Sequence, residues 1–180
     1  MKKKLFCSLL MLMLAVMSVN AQPSLTKLIQ AVDNSGSAQN IRSQLIKSKY
    51  TKLKYSYDWL EVWAKGCSAK YTYYKTHEEY KFSKPKNASA NAISLYITGD
   101  GQILYGISMT VFGSTNVKAK IQEIKALGFK KMPINPTDYY DPADSDIVDA
   151  WVYMRKDNPY VPLIIYEHKG GVYEINYIMS

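Results

Sequence analysis

Two histidines, each next to a glutamate, are the residues of this sequence whose types best suit a metal site. They are His77, followed by Glu78, and His168, preceded by Glu167. Two imidazoles and two carboxylates form a ligand set that zinc accepts if the fold brings them together. The two histidines end segments that match each other in a repeat, and matching positions in a tandem repeat usually lie far apart in space. We therefore expect no metal site and no cofactor.

A second candidate for metal binding is a run of acidic residues. Five of the 15 acidic residues fall within twelve positions, namely Asp138, Asp141, Asp144, Asp146 and Asp149. Calcium prefers several carboxylate oxygens at close quarters. The spacing lacks the alternating acids and the glycine of an EF-hand loop. We interpret residues 138–149 as a solvated acidic loop, and calcium binding there stays open.

Nucleophilic chemistry has little support in the sequence. Cys67 is the one cysteine beyond the first 21 residues, so that part of the chain forms no internal disulfide. We expect a small, half-buried residue in a strand turn, and its role stays open. The sequence contains neither a nucleophile-elbow glycine pattern nor a glycine-rich phosphate loop. It therefore predicts a protein that is not an enzyme.

The first 21 residues have the composition of a secretion signal. Three lysines at positions 2–4 precede an apolar stretch over 5–19, and small residues then allow cleavage after Ala21. The apolar stretch is too short for a spanning helix. We expect a periplasmic or secreted protein with no membrane span and one domain over 22–180.

Charge and composition narrow the class of partner. Loss of the three lysines would lower the formal net charge from +8 to +5. That excess is mild and lacks the clustering of a nucleic-acid binder, so we expect no nucleic acid. Aromatic residues make up 13% of the chain and 16 of them are tyrosines, which favours a recognition surface.

Apolar spacing predicts the elements that position these side chains. Helical spacing occurs in three segments, marked by Leu25, Leu28, Ile29 and Val32, by Ile41, Leu45 and Ile46, and by Val117, Ile121 and Ile124. The third helix is predicted to begin at an N-cap of Ser114 or Thr115 and to end at Gly128. Alternating patterns predict strands at about 57–65, 70–77, 92–98, 102–112, 147–155, 162–168 and 171–178.

The same order of elements occurs twice. When Tyr50 is aligned with Phe129, each helix exit reads as apolar, basic and small residues followed by an aromatic residue. Residues 61–64, Glu-Val-Trp-Ala, then align with residues 149–152, Asp-Ala-Trp-Val. We interpret the pattern as a tandem repeat.

Tandem units of helices followed by antiparallel strands resemble the β-lactamase-inhibitor-protein architecture. The resemblance implies two units, about 22–112 and 113–180, that form one long sheet with helices on one face and the other face open. The chain lacks the paired cysteines of those inhibitors, so inhibition is not carried over. The predicted fold class is α+β, with a single antiparallel sheet of about seven strands and helices packed on one face.

Alternation along each strand predicts which side chains share the open face. Small aliphatic residues suit contact with a helix, so Leu60, Val62 and Ala64, and likewise Ala150, Val152 and Met154, are predicted to face the core. The predicted core side of 102–112 is Ile103, Tyr105, Ile107, Met109 and Val111. The opposite side is the predicted partner-binding surface, formed by Trp59, Glu61, Trp63, Tyr96, Trp151, Tyr153 and Arg155.

Aromatic rings beside glutamate and arginine are typical of a protein recognition surface. The sequence therefore predicts an exported, non-enzymatic binding protein that holds a protein or peptide partner on this face. One alternative is carbohydrate or envelope-polymer binding, since rings also stack on sugars. A structural homodimer that covers the face and needs no ligand is the other.

Overall fold

Three helices lie in the part of the chain that the structure describes. The computed structural model describes residues 23–53, 58–73, 78–82, 91–135 and 146–179. The helices are α1 (Leu25–Asp33), α2 (Ala38–Lys47) and α3 (Ser114–Ala126). All three were expected from apolar spacing, and none is long and apolar enough to cross a membrane.

Some predictions fall on residues outside these ranges. They are the signal peptide over 1–21, His77 of the candidate zinc set, and positions 138–145 of the acidic run. These predictions stay as they are.

Eight of the described strands form one antiparallel sheet in the order β1-β2-β5-β6-β10-β9-β8-β7. Their bounds are β1 Thr51–Lys52, β2 Leu60–Lys65, β5 Asn91–Ile97, β6 Leu104–Phe112, β7 Lys130–Lys131, β8 Ile147–Met154, β9 Leu163–His168 and β10 Val172–Ile178. Two further strands, β3 (Ala69–Tyr73) and β4 (Glu78–Phe82), pair only with each other in a separate two-stranded sheet.

The α+β class with an antiparallel sheet is confirmed, while the predicted count of about seven strands is not. The sheet has eight strands among the described residues because each edge adds a strand of two residues, β1 or β7. Two residues are too few for an alternating pattern to reveal. The described part of the strand predicted over 70–77, residues 70–73, does not join this sheet, since β3 pairs with β4 in the two-stranded sheet.

Helices α2 and α3 end in the same way. Lys49 and Gly128 both adopt the left-handed conformation, with φ of 63° and 88°. The next residue, Tyr50 or Phe129, donates its N–H to the carbonyl five positions back, at 3.0 and 3.2 Å. The predicted stop at Gly128 is confirmed, whereas the N-cap of α3 is Gly113 and not Ser114 or Thr115. The equivalence accords with the predicted repeat, which itself stays a prediction.

The hydrophobic core contains residues from all three helices and alternate residues of the strands. We call the side of the sheet that carries these strand residues the core face. Strand pairing sets these residues in rows, one of which is Trp63, Ile93, Met109, Ile175, Ile165 and Trp151. The next row is Glu61, Leu95, Ile107, Tyr177, Leu163 and Tyr153. Their apolar members pack in one cluster with Leu28, Ile41 and Val117 of the helices.

The side chains of the other parity form the outer face, which includes the aliphatic residues predicted to face the helices. Leu60, Val62 and Ala64 of β2 lie there, as do Ala150 and Val152 of β8, and they are buried although outside the cluster that contains the helices. The prediction that these small residues face the helices is therefore wrong. Large rings fill the space toward the helices instead, because rings span that distance and alanine does not.

Candidate functional site

Five of the seven predicted partner-binding residues lie on the core face: Glu61, Trp63, Trp151, Tyr153 and Arg155. Trp63 is 6% exposed and Tyr153 is also buried within the helix-containing cluster. The predicted open aromatic surface is wrong at these positions. Their side chains are committed to contacts inside the protein.

Glu61 is a buried carboxylate with three donors. Its oxygens accept hydrogen bonds from Arg42 Nε at 3.0 Å, Lys52 Nζ at 2.6 Å and Trp63 Nε1 at 3.2 Å. Burial acts to raise the pKa of Glu61, but Arg42 and Lys52 outweigh it and hold the pKa below its usual value. The carboxylate therefore ties α2 and β1 to β2 and is not available to a partner.

Arg155 also makes its hydrogen bonds to other residues of the protein. Its Nη1 and Nη2 atoms contact the two carboxylate oxygens of Asp33 in α1, each at 2.8 Å. Nη2 also donates to the Tyr177 hydroxyl at 3.1 Å, and the guanidinium lies 4.7 Å from the ring centroid of Phe129. The hydrogen bonds that Arg155 donates to Asp33 raise the pKa of Arg155 above its usual value, which keeps the guanidinium charged.

The two core-face tryptophans share one local arrangement. Trp63 Nε1 donates to the Glu61 carboxylate at 3.2 Å, and Trp151 Nε1 donates to the Asp149 carboxylate at 2.7 Å. In each case the acid precedes the tryptophan by two residues on the same strand face. This satisfies the indole N–H beside the core, and Lys131 covers Trp151 at 5.6 Å from the ring centroid.

The remaining two predicted residues, Trp59 and Tyr96, stand on the outer face and contact each other. Their ring centroids are 6.4 Å apart with planes inclined by 28°. A third ring, that of Tyr105, lies 6.2 Å from Tyr96. We call Trp59, Tyr96 and Tyr105 the aromatic row; it crosses the sheet from the start of β2 over β5 to β6.

A β-bulge brings Tyr105 into this row. Tyr96 pairs with Gly106 and Ile97 pairs with Leu104, so Tyr105 is an extra residue on β6. The bulge re-aims Tyr105, and Leu104 takes the core position in place of Ile103. The predicted core placement of Ile103 and Tyr105 is therefore wrong. The sequence signal was Gly106, since an isolated glycine within a strand pattern often marks a bulge.

Exposed apolar side chains surround the aromatic row. Trp59 is 46% exposed, and Ile103 and Ile178, at the same end of the sheet, are 43% and 36% exposed. Gly106 lies between Tyr96 on β5 and Ile178 on β10, whose side chain covers it: a Cβ at Gly106 would lie 3.0 Å from Ile178 Cγ1. The row and Ile178 thus form an apolar strip across four strands.

A polar cluster lies farther along the outer face. The Ser108 hydroxyl donates to Glu174 Oε1 at 2.9 Å, and His168 Nε2 lies 3.5 Å from Glu174 Oε2. Burial acts to raise the pKa of Glu174, but His168 and Ser108 outweigh it, so the pKa stays below its usual value. Burial raises the pKa of Tyr96 to about 12, with the charge of Glu174 as a smaller cause.

The order of this cluster does not suit nucleophilic catalysis. A serine nucleophile needs a base such as histidine on its hydroxyl. Here Glu174 lies between Ser108 and His168, and Ser108 is itself buried. A carboxylate with a depressed pKa is a weak base, so the arrangement serves hydrogen bonding rather than activation of the hydroxyl.

The metal and thiol candidates gain no support from the described residues. In those ranges no three histidine, cysteine, aspartate or glutamate side chains are grouped to hold an ion. Asp149 of the acidic run accepts from its neighbour's N–H and from Trp151. Cys67 is half-buried as expected, its thiol lies 3.4 Å from the Asn91 carbonyl, and burial raises its pKa.

Comparison with known proteins adds no assignment to this geometry. No family model, curated protein or solved structure matches the chain. Within the described residues, the aromatic row combines one exposed ring, that of Trp59, with the half-buried rings of Tyr96 and Tyr105.

Proposed function

We propose that this is an exported, non-enzymatic binding protein that holds a protein or peptide partner on the aromatic row. The observation that carries the proposal is the exposed ring of Trp59, stacked on Tyr96, which in turn contacts Tyr105. Aromatic rings supply large contact area at small entropic cost, and tryptophan and tyrosine dominate binding energy at interfaces. Export is proposed on the composition of residues 1–21.

The position of the row on its scaffold supports binding. Tyr96 and Tyr105 belong to strands in the middle of the eight-stranded sheet, and the core-face residues beside them, Leu95 and Ile107, are fully buried. A site built on packed strands loses little freedom when a partner binds. Helices that cover one face of the sheet, as the resemblance implies, would leave the row on the other.

The edges of the sheet are poor binding surfaces by comparison. Edge strands β1 and β7 have two residues each, and their exposed side chains include Lys52, Lys130 and Lys131. Short edges bearing lysine resist pairing with another strand. This favours the row over edge-to-edge association as the place where a partner binds.

The experiment that tests the proposal is selection of peptides from a random display library on the purified protein. We expect clones that bind the wild-type protein and lose binding to Trp59→Ala. Val148→Ala is the matched control, because Val148 is an exposed apolar residue at the opposite end of the sheet. Clones that bind wild-type and Trp59→Ala equally would contradict the proposal.

The alternatives give different results in companion assays. A carbohydrate site would show as quenching of Trp59 fluorescence by a soluble oligosaccharide with no peptide selected. A homodimer would show as association that grows with protein concentration and is lost in Trp59→Ala. Either result without peptide binding would contradict a protein or peptide partner.

A further inference from the structure

The aromatic row has the spacing of alternate side chains on an extended chain. Its ring centroids are 6.4 Å apart between Trp59 and Tyr96 and 6.2 Å apart between Tyr96 and Tyr105. A strand rises about 3.2 to 3.4 Å per residue, so side chains i and i+2 lie about 6.4 to 6.8 Å apart on the same side. An extended segment laid along the row can therefore set one side chain against each ring.

Two exposed carboxylates flank the row at the end of the strands. The N–H of Ile97 donates to the Trp59 carbonyl at 2.9 Å, which places Asp58 beside the turn that follows Ile97. In that turn Asp100 accepts from the Thr98 hydroxyl and from the Gln102 N–H, and these bonds hold the pKa of Asp100 below its usual value. Both aspartates are exposed.

Among the residues that the structure describes, Arg42 reaches this turn but is paired elsewhere. Its Nη1 donates to the Gly101 carbonyl at 2.9 Å, while its Nε is paired with Glu61 on the core face. The guanidinium is thus directed to a backbone carbonyl and to another carboxylate. Asp58 and Asp100 leave local negative charge beside an apolar strip, in a protein whose net charge is positive.

We propose that the row binds an extended peptide segment with apolar side chains at three alternate positions and a lysine or arginine next to them, paired with Asp58 and Asp100. The inference rests on the proposed function and specifies the partner. The ring spacing matches the spacing of alternate side chains in an extended peptide. The two carboxylates can pair with a cationic side chain, which a neutral sugar lacks, so a peptide is favoured over a sugar. Contact between the apolar side chains and the rings supplies the affinity for the peptide. The ion pairs with Asp58 and Asp100 fix the orientation of the peptide along the row.

Fluorescence anisotropy with three labelled synthetic peptides tests this inference. The first has two arginines followed by leucines at alternate positions separated by serine. The second has the same composition with the leucines adjacent, and the third has glutamates in place of arginines. We expect the first to bind about tenfold more tightly than either other peptide, because only it matches the row and the charge.

Protein variants separate the two elements of the site. Trp59→Ala should abolish measurable binding of the first peptide. The double variant Asp58→Asn with Asp100→Asn should weaken it about three- to tenfold at low salt, because two exposed charge pairs are lost. Asparagine keeps an acceptor for Thr98 and Gln102, so the turn is retained, which a thermal melt checks. Val148→Ala should bind as wild type.

The outcomes distinguish this inference from the proposed function. Equal binding of the alternating and adjacent-leucine peptides, with both lost in Trp59→Ala, would overturn the inference and leave the proposed function intact. Absence of any Trp59-dependent peptide, together with fluorescence quenching by a soluble oligosaccharide, would overturn both. Self-association that Trp59→Ala abolishes would make a second copy of the chain the occupant and would overturn the inference.

Discussion

Arg155 and Asp33 form a bidentate ion pair, with both nitrogen–oxygen distances at 2.8 Å. The pair joins α1 to the end of β8 across 122 positions of sequence. Tyr177 donates its hydroxyl to the same carboxylate at 2.6 Å, so three distant segments meet there. Arg155, which was expected to contact a partner, thus connects distant segments of the fold.

Removal of either charge should therefore destabilise the protein. In Arg155→Met the carboxylate of Asp33 stays partly buried without its cation, and we expect a loss of about 2 to 4 kcal/mol in unfolding free energy. Asp33→Asn should cost a similar amount, and the double variant should cost less than the sum of the two. Urea unfolding measures these values, and a strictly additive double variant would contradict the pairing.

The tryptophans should separate into core and surface classes. Trp63→Ala should cost about 3 to 5 kcal/mol, because it leaves a cavity among buried side chains. Trp59→Ala should cost less than about 1 kcal/mol, since the ring that it removes is exposed and stacks on Tyr96. Chemical denaturation of both variants under the same conditions gives the comparison; equal losses would contradict the assignment of faces.

Glu61 should contribute to acid sensitivity. Its pKa is lower in the folded than in the unfolded chain, where 4.5 applies. A carboxylate with a depressed folded pKa stabilises the protein above its unfolded pKa, and that contribution is lost as pH falls through the folded value. We expect wild type to lose stability below about pH 4.5 more steeply than Glu61→Gln. Parallel pH profiles of melting temperature would contradict this.

Gly106 should be hard to replace, because Ile178 packs on it. A Cβ at position 106 would lie 3.0 Å from both Ile178 side-chain branches and 3.1 Å from its Cα. Gly106→Ala should destabilise the protein by about 1 to 3 kcal/mol. Ile178→Ala in the same chain should recover part of that loss, but not all, since the backbone at position 178 would still crowd the added methyl group. Absence of any recovery would contradict the packing.

The strands of the sheet were predictable because their patterns are local. Residues 91–97 and 172–178 alternate clearly, and the structure places strands there. The faces were not predictable in the same way. In β2 both parities are apolar, and both Trp63 and Val62 are buried, so alternation alone cannot tell which side meets the helices.

Two ion pairs to the helices, rather than the alternation of apolar residues, mark the side of β2 and β8 that faces the core. Glu61 and Arg155 share parity with core tryptophan and tyrosine, and each has a partner of opposite charge on a helix, Arg42 and Asp33. Such pairings are long-range, so sequence spacing does not reveal them. Tyr105 entered the row through a bulge, of which Gly106 was the one local sign.

Tryptophan fluorescence during a peptide titration reports whether a peptide binds on the ring of Trp59. The alternating-leucine peptide with two arginines is added to wild type and to Trp59→Phe, and the difference spectrum isolates Trp59. We predict that bound peptide shifts the Trp59 emission to shorter wavelength and protects it from acrylamide, with no change in Trp59→Phe. Emission and quenching of Trp59 that stay constant at saturating peptide would contradict binding on the aromatic row.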